Sequence, residues 1–313
     1  MVWCVFAVNI EIIIMERTEP LMLLLSQIIN GLQLGSIYAL VALGYSMVYG
    51  IIMLLNFAHG DIIMVGGYVA MLTIAAGVHP LLAVVLAILA CMALGVVIDK
   101  VAYAPLRSSP RISLLITAIG VSFLLENLAQ NIWGANARPF PNSAIIQGSA
   151  LHIGDVQIGI TAIVTIVVSV LSMVVLTFLV QKTKRGKAMR AVSEDMGTAQ
   201  LMGINVNNTI TFTFAVGSAL AGIGSILYCC TYPQVSPTMG SMLGLKAFVA
   251  AVLGGIGSIP GAMIGGFAIG MAEVLVRAVG LSDWTDGVVF AILIVVLLFR
   301  PTGLMGRPMT EKV

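Results

Sequence analysis

The stretch LLNFAHGDIIMVGGYVA, residues 54–70, places Asn56, His59 and Asp61 beside glycines between two apolar runs. An amide, an imidazole and a carboxylate so close together in apolar surroundings are costly unless they face protein or water. They suit a bent or re-entrant turn that lines or gates a path for a polar solute. The structural alternative is a turn in which Asn56 and Asp61 cap the helix that follows. A second polar set lies at the end of the apolar run 112–133. Glu126 and Gln130, like Asn127 and Asn131, sit about one helical turn apart, which makes a polar stripe that lines water or marks the interface. Lys246 and Glu273 are lone charges in a glycine-rich apolar region and are expected to face the bundle interior, where they can pair.

The run GGIGSIPG, residues 254–261, has the glycines of a phosphate loop but no following Lys-Ser or Lys-Thr and no preceding strand. It continues as GAMIGGFAIG, with Gly261/Gly265 and Gly266/Gly270 spaced four apart, the small-xxx-small pattern of close membrane-helix packing. Gly254, Gly257, Pro260, Gly261 and Gly265 are therefore assigned to a tight turn and helix packing, and the chain is not expected to hydrolyse ATP by itself. His59, His79 and His152 are scattered, and Cys4, Cys91, Cys229 and Cys230 form no metal-ligand spacing. Neither a catalytic set nor an HExxH motif occurs, so no enzymatic chemistry, metal or cofactor is expected.

The elements that must hold these groups follow from composition. Of 313 residues 59% are apolar and only 9% charged, with mean hydropathy +1.08, whereas soluble domains carry roughly a quarter charged residues. The apolar runs are long and do not alternate with period two, so the expected fold is an all-α integral membrane protein, a polytopic helix bundle. About eight membrane segments are read, with the Gly-rich pair over 243–279 counted as one hairpin: 21–55 as one long or broken element, then 61–78, 80–103, 112–133, 158–180, 209–228, that hairpin, and 287–299. A net charge of +2, with basic residues in short clusters, argues against nucleic acid and for topology signals. Those clusters put Arg107, Arg111 and the group Lys182, Lys184, Arg185, Lys187 and Arg190 on the cytoplasmic side, with the tail bearing Arg300, Arg307 and Lys312. The loop carrying Arg138 then falls outside. Residues 1–21 fit neither a signal peptide nor a clean span and are read as an extension or a misassigned start, leaving 22–313 as a single transmembrane domain.

GKAMRAVSEDMGTAQLMGINV, residues 186–206, is the polar exception in this chain. Residues 188–201 are rich in helix formers and Gly203 stops them, which gives a short cytoplasmic helix on the membrane surface. Such a helix is suited to receive a separate motor; the bland alternative is an ordinary amphipathic loop helix.

Four stretches carry a resemblance: QIINGLQLGSIYALVALGYSMVYGI (27–51), LLNFAHGDIIMVGGY (54–68), AVSEDMGTAQLMGIN (191–205) and KAFVAAVLGGIGSIPGAMIGG (246–266). From Met22 on, the chain resembles the LivH-type permease subunit of branched-chain amino acid ABC transporters. The resemblance implies an importer subunit in the cell inner membrane that carries Leu, Ile and Val, with cytoplasmic ABC ATPase subunits, a second, LivM-like permease subunit and an external solute-binding protein as partners. It also implies an ATPase-coupling loop containing Arg190, Glu194, Asp195, Ala199 and Gly203, here with Met196 and Gly197 after the acidic pair in place of Glu-Ala-Ala. Asn56, His59, Asp61, Glu126 and Asn127 are the candidates for the translocation path or its gate. Relatives importing urea, short amides or other amino acids keep the substrate open. An ion-coupled secondary transporter and a channel or scaffold are the rival classes, and ATP dependence separates them.

Overall fold

A computed structural model describes residues 2–53, 56–107, 109–146, 151–153 and 156–306. Arg307 and Lys312 lie outside these residues. Lipid offers the backbone no partners, so each apolar run bonds within itself as a helix. The helices are α1 (Val2–Ile52), α2 (His59–Ala75), α3 (Pro80–Ile98), α4 (Arg111–Trp133), the single turn α5 (Asn142–Ile145), α6 (Ile160–Lys182), α7 (Lys184–Glu194), α8 (Met196–Leu201), α9 (Val206–Thr231), α10 (Met239–Gly254), α11 (Ile259–Ala278) and α12 (Thr285–Phe299). Two short antiparallel ladders trim one end. β1 (Arg138–Pro139) pairs with β4 (Gln234–Val235), and β2 (Leu151–Ile153) with β3 (Val156–Ile158).

Seven helices among the described residues are long and apolar enough to cross a membrane: Leu23–Ile52, Pro80–Leu106, Ile112–Trp133, Ile160–Lys182, Val206–Thr231, Ile259–Ala278 and Ser282–Phe299. α2 and α10 are apolar but shorter. The expected polytopic bundle is present, and its count of about eight resolves into seven full spans and two partial ones. The first segment does not break before Ile52. It reverses at Met53, whose φ of 51° lies in the left-handed region that ends a helix.

α3 continues through a π-turn, Asp99–Tyr103, and a 3-10 turn, Ala104–Leu106. Pro105 accounts for the change of pitch, because in an α-helix its ring would collide with the carbonyl four residues back and no N–H would reach it. The Ala104 N–H bonds Asp99 O instead.

α1 is the axis of the molecule and packs against α6, α9, α10 and α11. In lipid, helices associate through close van der Waals packing and not through exclusion of water, so small residues mark the contacts. At the α1–α11 crossing a β-carbon on Gly35 would lie 2.8 Å from the Phe267 Cα, and one on Gly266 would run into Ala39. The ends of the helices form two groups. Ile52, Tyr103, Arg107 and Met196 share one end with Gly50, Arg190 and Gly257. Gln33, Thr231, Tyr232 and Arg277, together with Ile158 and Thr161, share the other. The first is the end that carries the basic clusters.

Candidate functional site

The two partial helices meet by their N-termini. A β-carbon on Gly60 or Gly240 would run into the carbonyl of the other, and one on Gly244 would sit 2.9 Å from the Gly60 Cα. Only glycine lets the start of α2 touch the first turns of α10. Two positive helix ends therefore lie against each other among apolar spans. Asp61 stands in the first turn of α2, where a carboxylate complements that charge. It is 1% exposed, and neither carboxylate oxygen has a hydrogen-bond partner among the described residues. The Ser122 hydroxyl of α4 interacts with the carboxylate without meeting full hydrogen-bond geometry, and Glu126 of the same helix is an electrostatic neighbour. Glu126 in turn accepts a hydrogen bond from Ser241 in the first turn of α10. Asp61, Glu126 and Ser241 thus form one patch contributed by three helices.

His59 lies edge-on to Tyr45 of α1, with ring centroids 4.7 Å apart, and its buried Nε2 has no partner among the described residues. Asn56 accepts a 2.8 Å hydrogen bond from the Tyr103 hydroxyl at Oδ1, while its Nδ2 has no partner among the described residues. The capping alternative is not what the structure shows. Ala58 occupies the N-cap of α2 with no side-chain cap, and Asn56 offers the His59 N–H only its backbone carbonyl. Asn127 lies apart from this patch. It is exposed on α4 and its amide bonds the Phe123 carbonyl one turn back, as Asn131 bonds Asn127. Backbone N–H ends and carboxylates within one patch complement a ligand that carries both signs of charge.

At the basic end, residues 188–201 do not form the single helix expected. Asp195 breaks them by leaving helical dihedrals (φ −159°, ψ 112°) and accepting the Thr198 N–H at 2.8 Å, so it ends α7 and caps α8. Thr183 caps α7 from Gly186 N at 3.0 Å. Gly203, at φ 80°, closes α8: its N–H reaches Gln200 O and that of Ile204 reaches Ala199 O, both at 3.0 Å, a paired C-terminal motif that needs a left-handed residue. Met189, Val192 and Ala199 fasten the pair of helices to the bundle. Arg190, Glu194 and Asp195 face outward, and Leu201 and Met202 project at 89% and 78% exposure.

The Gly-rich turn joins α10 to α11 at the same end. Gly255 and Gly257 adopt φ of 104° and 88°. Ser258 caps α11 by accepting from Gly261 N at 3.2 Å, Pro260 occupies its first turn, and Gly257 N–H bonds Ser46 Oγ at 2.9 Å. β-carbons on Gly254, Gly261 or Gly265 would each strike backbone of the facing helix.

Two groupings escaped the sequence. Lys246 and Glu273 do pair, at 3.0 Å, but they belong to a larger network with Tyr38, Arg277 and Asp286. Asp99, fully buried, holds Arg107 Nη2 at 2.5 Å and the Thr211 hydroxyl at 2.6 Å. The signal for the second was a lone carboxylate at the end of an apolar run, six residues before a proline.

The model of the family described as "branched-chain amino acid transport system / permease component" matches residues 27–297. The high-affinity branched-chain amino acid transport system permease protein LivH of Salmonella typhimurium is 43% identical over 308 residues, covering 95% of this chain and 100% of the relative. The corresponding protein BraD of Pseudomonas aeruginosa is 42% identical, covering 92% and 98%. The ribose import permease RbsC of Escherichia coli is 25% identical, covering 92% and 89%. With its match extending over nearly all the spans and across both partial helices, the chain belongs to the family of branched-chain amino acid transport permease components.

Proposed function

We propose that this chain is a membrane-spanning subunit of an ABC importer that carries branched-chain amino acids across the inner membrane. A separate ATPase drives it at the face formed by α7 and α8. A LivM-like permease completes the path and an external solute-binding protein delivers the substrate. The basic end of the bundle is then cytoplasmic, as short loops rich in Lys and Arg dictate. Residues 22–313 act as one transmembrane domain.

The observation that carries the substrate reading is the patch where the N-termini of α2 and α10 meet beside Asp61 and Glu126. Half-helix N-termini inside a membrane suit a carboxylate and acidic side chains suit an ammonium, so an α-amino acid zwitterion matches both. A neutral sugar matches neither charge, which sets this chain apart from its ribose-permease relative. The binding protein supplies most of the selectivity, since a path that held the charged ends tightly would retain its cargo.

The test is uptake of radiolabelled leucine into proteoliposomes holding the full complex, with the binding protein outside and ATP inside. ATP-dependent uptake that isoleucine and valine suppress and ribose does not is the expected result. Uptake driven by an ion gradient without ATP, or suppressed by ribose and not by valine, would overturn it.

A further inference from the structure

Between α8 and the start of α2 runs a series of contacts that is exposed at the α9 corner and becomes buried from Asp99 to Asn56. Gly203 and the Asn205 cap, which accepts from Asn208 N at 3.0 Å, join α8 directly to the first turn of α9. From the first two turns of α9, the Asn207 carboxamide oxygen accepts from Arg107 and the Thr211 hydroxyl donates to Asp99. Asp99 and Arg107 clasp each other across the π-turn that Pro105 imposes. Tyr103, in the same turn, lies against Phe214 of α9 (centroids 5.4 Å apart) and donates its hydroxyl to Asn56. Asn56 holds the first N–H of α2 through its backbone carbonyl at 3.0 Å. Asp99, Tyr103 and Asn56 are all buried.

A cavity of about 640 Å³ separates α8 from this turn. Met196, Gly197 and Gln200 line one side, with Ile52, Tyr103 and Arg107 opposite. The α8–α9 corner therefore has room to shift, and the polar series is the tied route by which such a shift leaves it. π-turns are conformationally special and recur at functional sites.

We propose that Asp99 and Tyr103 are positioning residues that carry movement of the α8–α9 corner to the start of α2. This rests on the reading of α7–α8 as the ATPase-docking face. A shift of the corner draws Thr211 and Asn207 with it, these pull the Asp99–Arg107 clasp, and Tyr103 passes the displacement to Asn56. His59 and Asp61 then move relative to Gly240 and Ser241. Such a coupling needs both ends to bias one two-state element, so the test must read the far end directly.

The experiment uses the full complex, with a reporter cysteine in place of Phe57, a half-buried residue between Asn56 and α2. Labelling of the reporter by a membrane-impermeant maleimide is compared before and after trapping with ATP and vanadate, against the parent without the reporter. Trapping is expected to change the labelling rate about fivefold or more, the lower end of usual couplings. Tyr103→Phe and Asp99→Asn should each remove most of that change while nucleotide trapping persists, and the double variant should do no more than either alone. A change that survives both variants, even with lowered thermal stability, reduces these residues to structure and overturns the proposal. So does a reporter that ignores trapping, or additive effects in the double variant. Absence of trapping itself would overturn the docking reading and the relay with it. A complex that shows the relay but imports another solute would overturn the substrate reading alone.

Discussion

The charged groups around Glu273 and around Asp61 differ in whether their polar atoms are satisfied. Around Glu273 no buried side-chain polar atom lacks a partner among the described residues. Lys246 Nζ donates to Oε1 at 3.0 Å, Arg277 donates to the same oxygen, and the Tyr38 hydroxyl donates to Oε2 at 2.6 Å. Lys246 also reaches Asp286 at 2.6 Å, and Arg277 the Tyr232 hydroxyl at 3.2 Å. Two cations and two carboxylates thus join α1, α10, α11 and α12. At the start of α2, by contrast, both Asp61 oxygens, His59 Nε2 and Asn56 Nδ2 meet no full hydrogen bond among the described residues. A saturated network in a low-dielectric interior rigidifies, whereas an open one is costly and persists where something other than stability requires it. The first group is read as a fastening and the second as a workplace.

Replacing residues in the two groups should pull stability and transport in opposite directions. Glu273→Ala leaves Arg277 and Lys246 short of their shared carboxylate. Removing one partner of a buried pair costs about 3–5 kcal/mol, the largest effect expected here, although Asp286 retains Lys246. Thermal unfolding of the purified subunit in detergent reads it; an unchanged midpoint would dissolve the distinction between the groups. Gly261→Leu drives a side chain into the Gly254 carbonyl. Overpacking of this kind costs about 1–3 kcal/mol, and more where backbone cannot yield, so the yield of monodisperse protein should fall and purified subunit alone should still bind no ATP. Asp61→Asn should have the smallest effect on unfolding, within about 0.5 kcal/mol of the parent or stabilising, because it removes an unpaired buried charge. Leucine uptake at constant ATPase content should nonetheless drop at least tenfold, equivalent to a transport barrier raised by about 1.4 kcal/mol. Loss of stability with normal transport would invert the assignment.

The spans were legible because length and apolarity are properties of a segment alone, as at Pro80–Leu106. Lys246 and Glu273 could be matched because lone charges in an apolar run have few possible partners. Tyr38 could not, since nothing in GSIYALVAL separates a tyrosine that bonds a carboxylate from one that fills space. Asp61 was visible, but its meeting with Gly240 joins residues far apart in the chain and depends on how two partial helices cross. Asp99 was overlooked beside a basic turn that already had a use as a topology signal. The break at Asp195 was signalled only by a residue type that caps helices, since the Thr198 group it bonds is a backbone N–H that any residue offers, and helix-forming neighbours masked it.

The spans also differ in length. Leu23–Ile52 contains 30 residues and Ser282–Phe299 only 18, which at the helical rise amounts to about 45 Å and about 27 Å. A hydrocarbon layer of roughly 30 Å just accommodates the shorter and is overshot by the longer. α1 must therefore slant or protrude while the segment ending in α12 has no length to spare, so the bilayer's thickness constrains this molecule most closely at its shortest helix.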